Sequence, residues 1–345
     1  MKQKSRIAIN GFGRIGRAFF RMSFESSEIE VVAINDLGNI ENLAYLLEYD
    51  TVYGRAPYTV QVVNGALVVD GRTISFSSIK EPKELTWGAQ NIDIVMESTG
   101  VFTSYEKAKV HLDAGAKRVV ISAPVKDEAG SDVQGATVLM GMNEKMLSSC
   151  TMSSNASCTT NATSPLIGIL HEAIGIEKAI LNTVHAYTAS QALVDGPSKK
   201  DFREGRAAAQ NIVPSSTGAA VATTMVHTDL KGKFDGISIR VPVPVGSIVD
   251  VTFIAKRATT AEEVNDALRA GAASDRWKNL FAVTDAPLVS SDIIGARHAS
   301  IGDLAMTRVV DGNLVKVLAW YDNETSYTQT LVDHVRAVGT ILQGA

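Results

Sequence analysis

A chain of 345 residues is long enough for two domains, each with its own core. Hydrophobic residues make up 45% and charged residues 20%, and a net charge of −4 gives no electrostatic reason to expect nucleic acid or an anionic membrane as the main partner. The two cysteines are too few for a disulfide framework and fit a reducing cytoplasm, and no apolar run approaches the ~18 residues of a membrane span.

Met1-Lys2-Gln3-Lys4 leads directly into a strand-like segment, which is not the pattern of a signal peptide. The segment Arg6 to Asn10 reads as a short buried strand, Gly11-Phe12-Gly13-Arg14-Ile15-Gly16 follows it, and a helix opens near Arg17. A second strand, Val31 to Ile34, ends in Asn35-Asp36, so Asp36 stands 20 residues beyond Gly16. Strand, glycine-rich turn, helix and a carboxylate at that spacing form a dinucleotide-binding pattern. The glycines let the backbone approach a pyrophosphate, the helix N-terminus supplies donors, and Asp36 suits a ribose 2′-hydroxyl better than a 2′-phosphate. This favours NAD over NADP.

Three short β segments between Thr59 and Phe76 are joined by Asn64-Gly65 and Asp70-Gly71, both strong hairpin signals. Alternation resumes with a strand from Ile92 to Glu97, a helix from about Tyr105 to Ala114, a strand from Arg118 to Ser122 and another from Thr137 to Gly141. Ser98, Thr99, Gly100 and Ser122 end parallel strands, where an open sheet binds its ligand.

Next comes Ser154-Asn155-Ala156-Ser157-Cys158-Thr159-Thr160-Asn161, followed by apolar residues at helical spacing up to Gly175. Cys158 therefore falls at or near a helix N-terminus, which favours a thiolate. Beyond Gly175 longer strands with fewer helices between them predict a mainly antiparallel sheet in a second domain. The polar stretch from Ala186 to Ala219 shows little periodicity, and the last helix spans about Tyr327 to Leu342. Among the six histidines, His111, His171 and His334 fall in amphipathic helices, at a surface or core edge. His185 ends a strand, which suits a base facing a cleft. Arg203, Arg206 and Arg240 are candidate anion ligands, and Pro214 to Gly218 is a candidate hydroxyl-and-amide nest. No spacing suggests a metal site.

Ile9 to Arg17, "SNASCTTN" at Ser154 to Asn161, His185-Ala186-Tyr187-Thr188, Pro214 to Ala220, Arg240-Val241-Pro242 and Trp320 to Glu324 occur together in that order. As a set they closely resemble the NAD-type phosphorylating glyceraldehyde-3-phosphate dehydrogenase family. The resemblance implies an α/β chain: a Rossmann-type doubly wound dinucleotide-binding domain at 1–157, completed by about 323–345, and an α+β catalytic domain with a mainly antiparallel sheet at 158–322. It makes Cys158 the nucleophile and His185 its base and ion-pair partner. Thr188 and Arg240 would bind the phosphate of glyceraldehyde 3-phosphate. Ser157, Thr159, Thr217 and Gly218 would bind inorganic phosphate, with Arg203 at one of the two phosphate sites. For NAD the resemblance implies Asn10, Gly11 and Gly13 at the glycine-rich turn, Arg14 and Ile15 at the pyrophosphate, and Asp36 at the adenosine ribose. Lys80 would lie on the adenine side, Ser98, Thr99 and Ser122 along the middle of the dinucleotide, and Asn323 at the nicotinamide amide. A cytoplasmic homotetramer is implied too. Where many members carry a second cysteine four residues after the nucleophile, this chain has Ala162. Two other readings stay open, an enzyme of the same mechanism acting on erythrose 4-phosphate and a silent NAD-binding regulatory protein. His185-Ala186-Tyr187-Thr188 keeps the triose-phosphate form, and a protein that only binds NAD has no need of Cys158, His185, Arg240 and Thr217 together.

Overall fold

The computed structural model describes residues 3–125, 134–198 and 201–344. Its chain forms two units, Met1–Ala156 with Thr328–Ala345, and Ser157–Tyr327.

In the first unit the strands are β1 (Ser5–Asn10), β2 (Ile29–Asn35), β3 (Tyr49–Asp50), β4 (Gly54–Arg55), β5 (Val60–Val63), β6 (Ala66–Val69), β7 (Arg72–Ser77), β8 (Ile94–Glu97), β9 (Arg118–Ile121), β10 (Gly135–Thr137) and β11 (Met152–Ser154). Its helices include α1 (Arg14–Ser23), α2 (Ile40–Glu48), α3 (Tyr105–Ala108) and α4 (Val110–Asp113). Apart from the small β3–β4 pair, the strands make one sheet of order β10-β11-β9-β8-β1-β2-β7-β6-β5. Pairing is parallel from β10 to β7 and antiparallel at β7–β6 and β6–β5. Chain order reverses at β1, which has β2 on one side and β8 on the other, so the switch point lies at the C-terminal ends of β1 and β8. Ile7, Ala8, Ile9, Val95 and Met96 are wholly buried there, as expected for strands covered on both faces. The two hairpin dipeptides take positive φ at all four residues, 50° and 75° at Asn64-Gly65 and 43° and 77° at Asp70-Gly71.

Three readings of this region change. The helix expected from Tyr105 to Ala114 is two short helices meeting at Lys109. The strand expected from Thr137 to Gly141 is Gly135–Thr137, and the chain turns at Leu139, whose carbonyl accepts from both Met142 and Asn143 N–H. Met152–Ser154 is a further strand, made by pairing with both neighbours despite its polar serines.

The second unit holds α5 (Cys158–Ala173), β12 (Ile176–Ala186), β13 (Val213–Ser216), α6 (Ala219–Thr223), β14 (Phe234–Val241), β15 (Ser247–Ala255), α7 (Ala261–Ala273), β16 (Phe281–Thr284), β17 (Ser300–Val310) and β18 (Leu314–Tyr321). Helix α8 (Thr325–Gly344) begins here and from Thr328 belongs to the first unit. The sheet order is β13-β14-β12-β15-β18-β17-β16, antiparallel except for β12–β14 and β16–β17. Helix α5 is buried from Thr159 to Leu170, polar side chains of its first half included, and packs on α6, α7 and the sheet. Its N-terminus is thereby held still, and that is where the cysteine stands.

Candidate active site

Ser157 caps α5, its Oγ accepting from Thr160 N–H at 3.1 Å, so the helix begins at Cys158. Ala156 turns the chain ahead of the cap at φ 54°, a conformation costly for a residue with a Cβ. The parallel pairing of β12 with β14 sets His185 opposite Arg240. Cys158 Sγ lies 3.4 Å from His185 Nε2. On the other side of the ring, Nδ1 is 2.6 Å from the Ala186 carbonyl; an Nδ1–H donated there leaves the Nε2 lone pair facing the thiol. Arg240 Nη1 stands 2.5 Å from Nδ1 and donates to the same carbonyl at 3.2 Å. The Tyr321 ring meets the imidazole edge to face, with centroids 5.9 Å apart, and its hydroxyl is tied to Thr159 and Thr183 at 2.9 and 2.8 Å. The imidazole is thus fixed by a ring contact as well as by hydrogen bonds.

Burial pushes the Cys158 thiol up, while Arg240, the Thr159 hydroxyl and the N–H groups of Thr159 and Cys158 pull it down. Burial, and then the Arg240 guanidinium, push His185 down to about 3. The lowered thiol expected from the helix N-terminus is therefore corrected: desolvation outweighs the helix-end donors and pushes Cys158 up. Proximity to a neutral base remains.

The other anion candidates lie in flanking loops. Thr188 follows β12, its Oγ1 3.0 Å from Ser190 Oγ. Pro214, Ser215 and Ser216 are part of β13 and pair with β14, which corrects the nest to Thr217 and Gly218 alone. Thr217 Oγ1 accepts from Ala219 N–H at 3.2 Å, and Gly218 begins α6 with no side-chain cap. Arg203 is exposed and paired with Asp201 at 3.1 Å, and Arg206 with Asp195 at 2.9 Å, so both are engaged locally.

In the first unit the glycine-rich turn has one requirement at each glycine. Gly11 sits at φ 95°, where an added Cβ would be 2.6 Å from Thr99 N; one on Gly16 would be 2.2 Å from Gly11 O. A Cβ on Gly13 would meet nothing within 4 Å, yet this residue is the uncapped start of α1. The protein does not need that glycine for packing; a ligand approaching the helix end would. Asp36 directly follows β2, its carboxylate accepting from Phe12 and Gly38 N–H at 2.6 and 2.7 Å. Arg14 pairs with Asp50 at 3.0 Å, Ile15 is half-buried and Lys80 is exposed. Ser98 Oγ donates to Gly11 O at 2.6 Å, and Ser122 N–H to Glu97 O at 2.9 Å.

Glu97 is a residue the sequence reading missed. Buried at the end of β8, it accepts from Thr99 N–H, the Thr99 hydroxyl, Asn10 Nδ2 and His111 Nε2. Trp87 Nε1 donates to His111 Nδ1 at 3.3 Å, so the other ring nitrogen carries the proton given to Glu97. The Asn10 side chain is occupied by Glu97 and Asn35 beneath the turn. His111 and His334 are wholly buried, which corrects the surface or core-edge reading; only His171 stands near the edge. A carboxylate closing an apolar strand was the one available signal for Glu97.

Two domain families match the chain, "Glyceraldehyde 3-phosphate dehydrogenase, NAD binding domain" over residues 5–105 and the C-terminal domain of the same enzyme over residues 157–323. The chain belongs to the glyceraldehyde-3-phosphate dehydrogenase family. It is 48% identical to the glyceraldehyde-3-phosphate dehydrogenase of Mycobacterium avium over 98% of this chain and 99% of that one. Glyceraldehyde-3-phosphate dehydrogenase 2 of Streptomyces arenae is 47% identical, again over 98% and 99%. Glyceraldehyde-3-phosphate dehydrogenase 1 of Bacillus subtilis (strain 168) is 46% identical over 95% and 96%. Family membership thus covers both units, including the segment that carries Cys158, His185 and Arg240.

Proposed function

We propose that this member of the family oxidises D-glyceraldehyde 3-phosphate to 1,3-bisphosphoglycerate with NAD and inorganic phosphate. The observation that carries this reading is the Cys158–His185 contact at a capped helix end, with Arg240 in register beside it. The open position at Gly13 supports a pyrophosphate at the start of α1, with Gly11, Arg14 and Ile15 around it. Asp36 takes the adenosine ribose, Lys80 the adenine side, and Ser98, Thr99 and Ser122 the middle of the dinucleotide. The amide of Asn323 takes the nicotinamide carboxamide.

In the proposed mechanism Cys158 Sγ adds to the aldehyde carbon. The thiol proton passes through His185 Nε2 to the carbonyl oxygen, giving a thiohemiacetal. Thr188 and Arg240 hold the substrate phosphate, and its negative charge offsets the guanidinium that, after burial, pushes His185 down. His185 then takes the hydroxyl proton. Bound NAD supplies the acceptor for the hydride that leaves the same carbon. The resulting thioester keeps the acyl group activated, and the Cys158 N–H with the imidazolium stabilises the oxyanion. Inorganic phosphate, held by Ser157, Thr159, Thr217 and Gly218 with Arg203 beside them, attacks the acyl carbon. The C–S bond breaks, and His185 returns its proton to sulfur.

Exposed apolar residues on the second sheet, Ile237 and Ile180 on the neighbouring β14 and β12 and Leu314 on β18, support self-association, read as a homotetramer. Among the described residues no helix is long and apolar enough to cross a membrane, and two free cysteines support a cytoplasmic setting.

The test follows NADH absorbance with glyceraldehyde 3-phosphate, with and without inorganic phosphate, for the native chain and Cys158→Ser. Turnover that needs phosphate and is lost in Cys158→Ser is expected. A steady state that ignores phosphate would remove the phosphorylating step and leave oxidation to the acid.

A further inference from the structure

Asn323 Oδ1 accepts two hydrogen bonds, from Gly246 N–H and from Ser247 Oγ–H, each at 3.1 Å. A backbone N–H can only donate, so the atom facing Gly246 is the amide oxygen, and Nδ2 is turned away from both partners. Ser247 has one proton. Its Oγ already accepts from Ala186 N–H at 3.1 Å, which leaves that proton for Asn323. Ser247 is 1% exposed and Asn323 7%, so both are buried. Ala186 is also the residue whose carbonyl lies 2.6 Å from His185 Nδ1. One hydroxyl therefore lies between the residue that anchors the base and the amide assigned to the nicotinamide.

We propose that Ser247 is a positioning residue for the cofactor: it holds the Asn323 amide with Nδ2–H free to donate to the nicotinamide carboxamide oxygen. A carboxamide presents an oxygen on one side and an NH2 group on the other, so a flipped Asn323 would offer it the wrong atom. The flip would also place an NH2 group against Gly246 N–H and the Ser247 hydroxyl. Orientation of the ring follows from which way Asn323 points, and Ser247 sets that. This inference rests on the reading of Asn323 as the nicotinamide contact.

Calorimetric titration of the full chain with NAD and with ADP-ribose, which lacks the nicotinamide, tests it in Ser247→Ala, Ser247→Thr and Asn323→Ala. Ser247→Ala and Asn323→Ala are expected to bind NAD roughly tenfold more weakly, the loss of about one buried hydrogen bond, with ADP-ribose affinity unchanged. Ser247→Thr keeps the hydroxyl and should keep the native NAD to ADP-ribose ratio. If Ser247→Ala does not fold, Ser247→Cys, close in shape but a weak donor, takes its place with the same expectation. Should Asn323→Ala lose NAD affinity while Ser247→Ala does not, the role of Ser247 is overturned and the reading of Asn323 stands. Should Asn323→Ala lose nothing, that reading fails and takes the proposal with it. A fall in ADP-ribose affinity equal to that for NAD in Ser247→Ala would show a structural role only, and would also overturn it.

Discussion

Cys158 Sγ stands 3.4 Å from Nε2 of His185, while Nδ1 on the other side of the ring lies 2.6 Å from the Ala186 carbonyl and 2.5 Å from Arg240 Nη1. Burial raises the thiol, and burial with Arg240 lowers the imidazole, so the proposed mechanism starts with a proton crossing this contact. His185→Asn removes the acceptor while keeping a polar side chain. Its kcat is expected to drop by about 10²- to 10⁴-fold, and alkylation of Cys158 by iodoacetamide at neutral pH should slow as well. An unchanged alkylation rate would mean that His185 does not take the thiol proton.

Arg240 carries two expected roles that one substitution separates. Arg240→Gln removes a charged donor to the substrate phosphate, so KM for glyceraldehyde 3-phosphate should rise by about 10- to 100-fold. Burial does most to hold His185 down at about 3 and the Arg240 cation adds to it, so removing the cation moves the imidazole part of the way back toward its ordinary 6.5. The base works when unprotonated. The acid limb of the rate profile should therefore move to higher pH in the variant, measured with unphosphorylated glyceraldehyde so that the lost phosphate contact does not enter. An acid limb at the native position would show that Arg240 does not tune the base.

Gly11 and Gly13 lie two residues apart in one turn but answer to different constraints. Gly11→Ala puts a Cβ at φ 95° and 2.6 Å from Thr99 N, so the fold itself should be less stable. Gly13→Val meets no protein atom near its Cβ and has an ordinary φ of −70°. Its melting temperature should stay close to the native value while NAD binding weakens by at least about tenfold, one hydrogen bond's worth or more. Calorimetry with NAD and a thermal melt separate the two. A Gly13→Val variant that binds NAD normally would remove the pyrophosphate from this turn.

The sequence showed clearly what depends on local periodicity and turn chemistry: β1 and its glycine-rich turn, both hairpin dipeptides, and α5 starting at Cys158. It showed poorly what depends on pairing partners. Ser300–Val310 has no clean alternation and is a strand because β16 and β18 flank it, with a register shift between Asp303 and Arg308. The thiol of Cys158 was read as lowered because helix ends are visible in sequence and burial is not. The same gap hid Glu97, Tyr321 and Ser247, whose importance lies in long-range hydrogen bonds to residues distant in the chain.

His334 offers a test of the first unit that is independent of catalysis. Its ring is wholly buried, with Nδ1 3.1 Å from Asn155 Oδ1 and Nε2 2.7 Å from Ser153 Oγ. An Nδ1–H donated to Asn155 and a Ser153 hydroxyl donated to Nε2 satisfy the neutral ring completely, and burial pushes it from 6.5 down to about 3. Between these values the unfolded chain binds a proton that the folded chain does not. Stability is therefore full above pH 6.5 and falls as pH drops through this window, by about 1.4 kcal/mol per pH unit for one such proton. His185 acts in the same direction. His334→Gln removes one of these titrating rings, so its urea midpoint, followed by tryptophan fluorescence from pH 7 to 5, should fall less steeply than the native one even if it starts lower. Equal slopes would mean that the buried ring takes up its proton without unfolding.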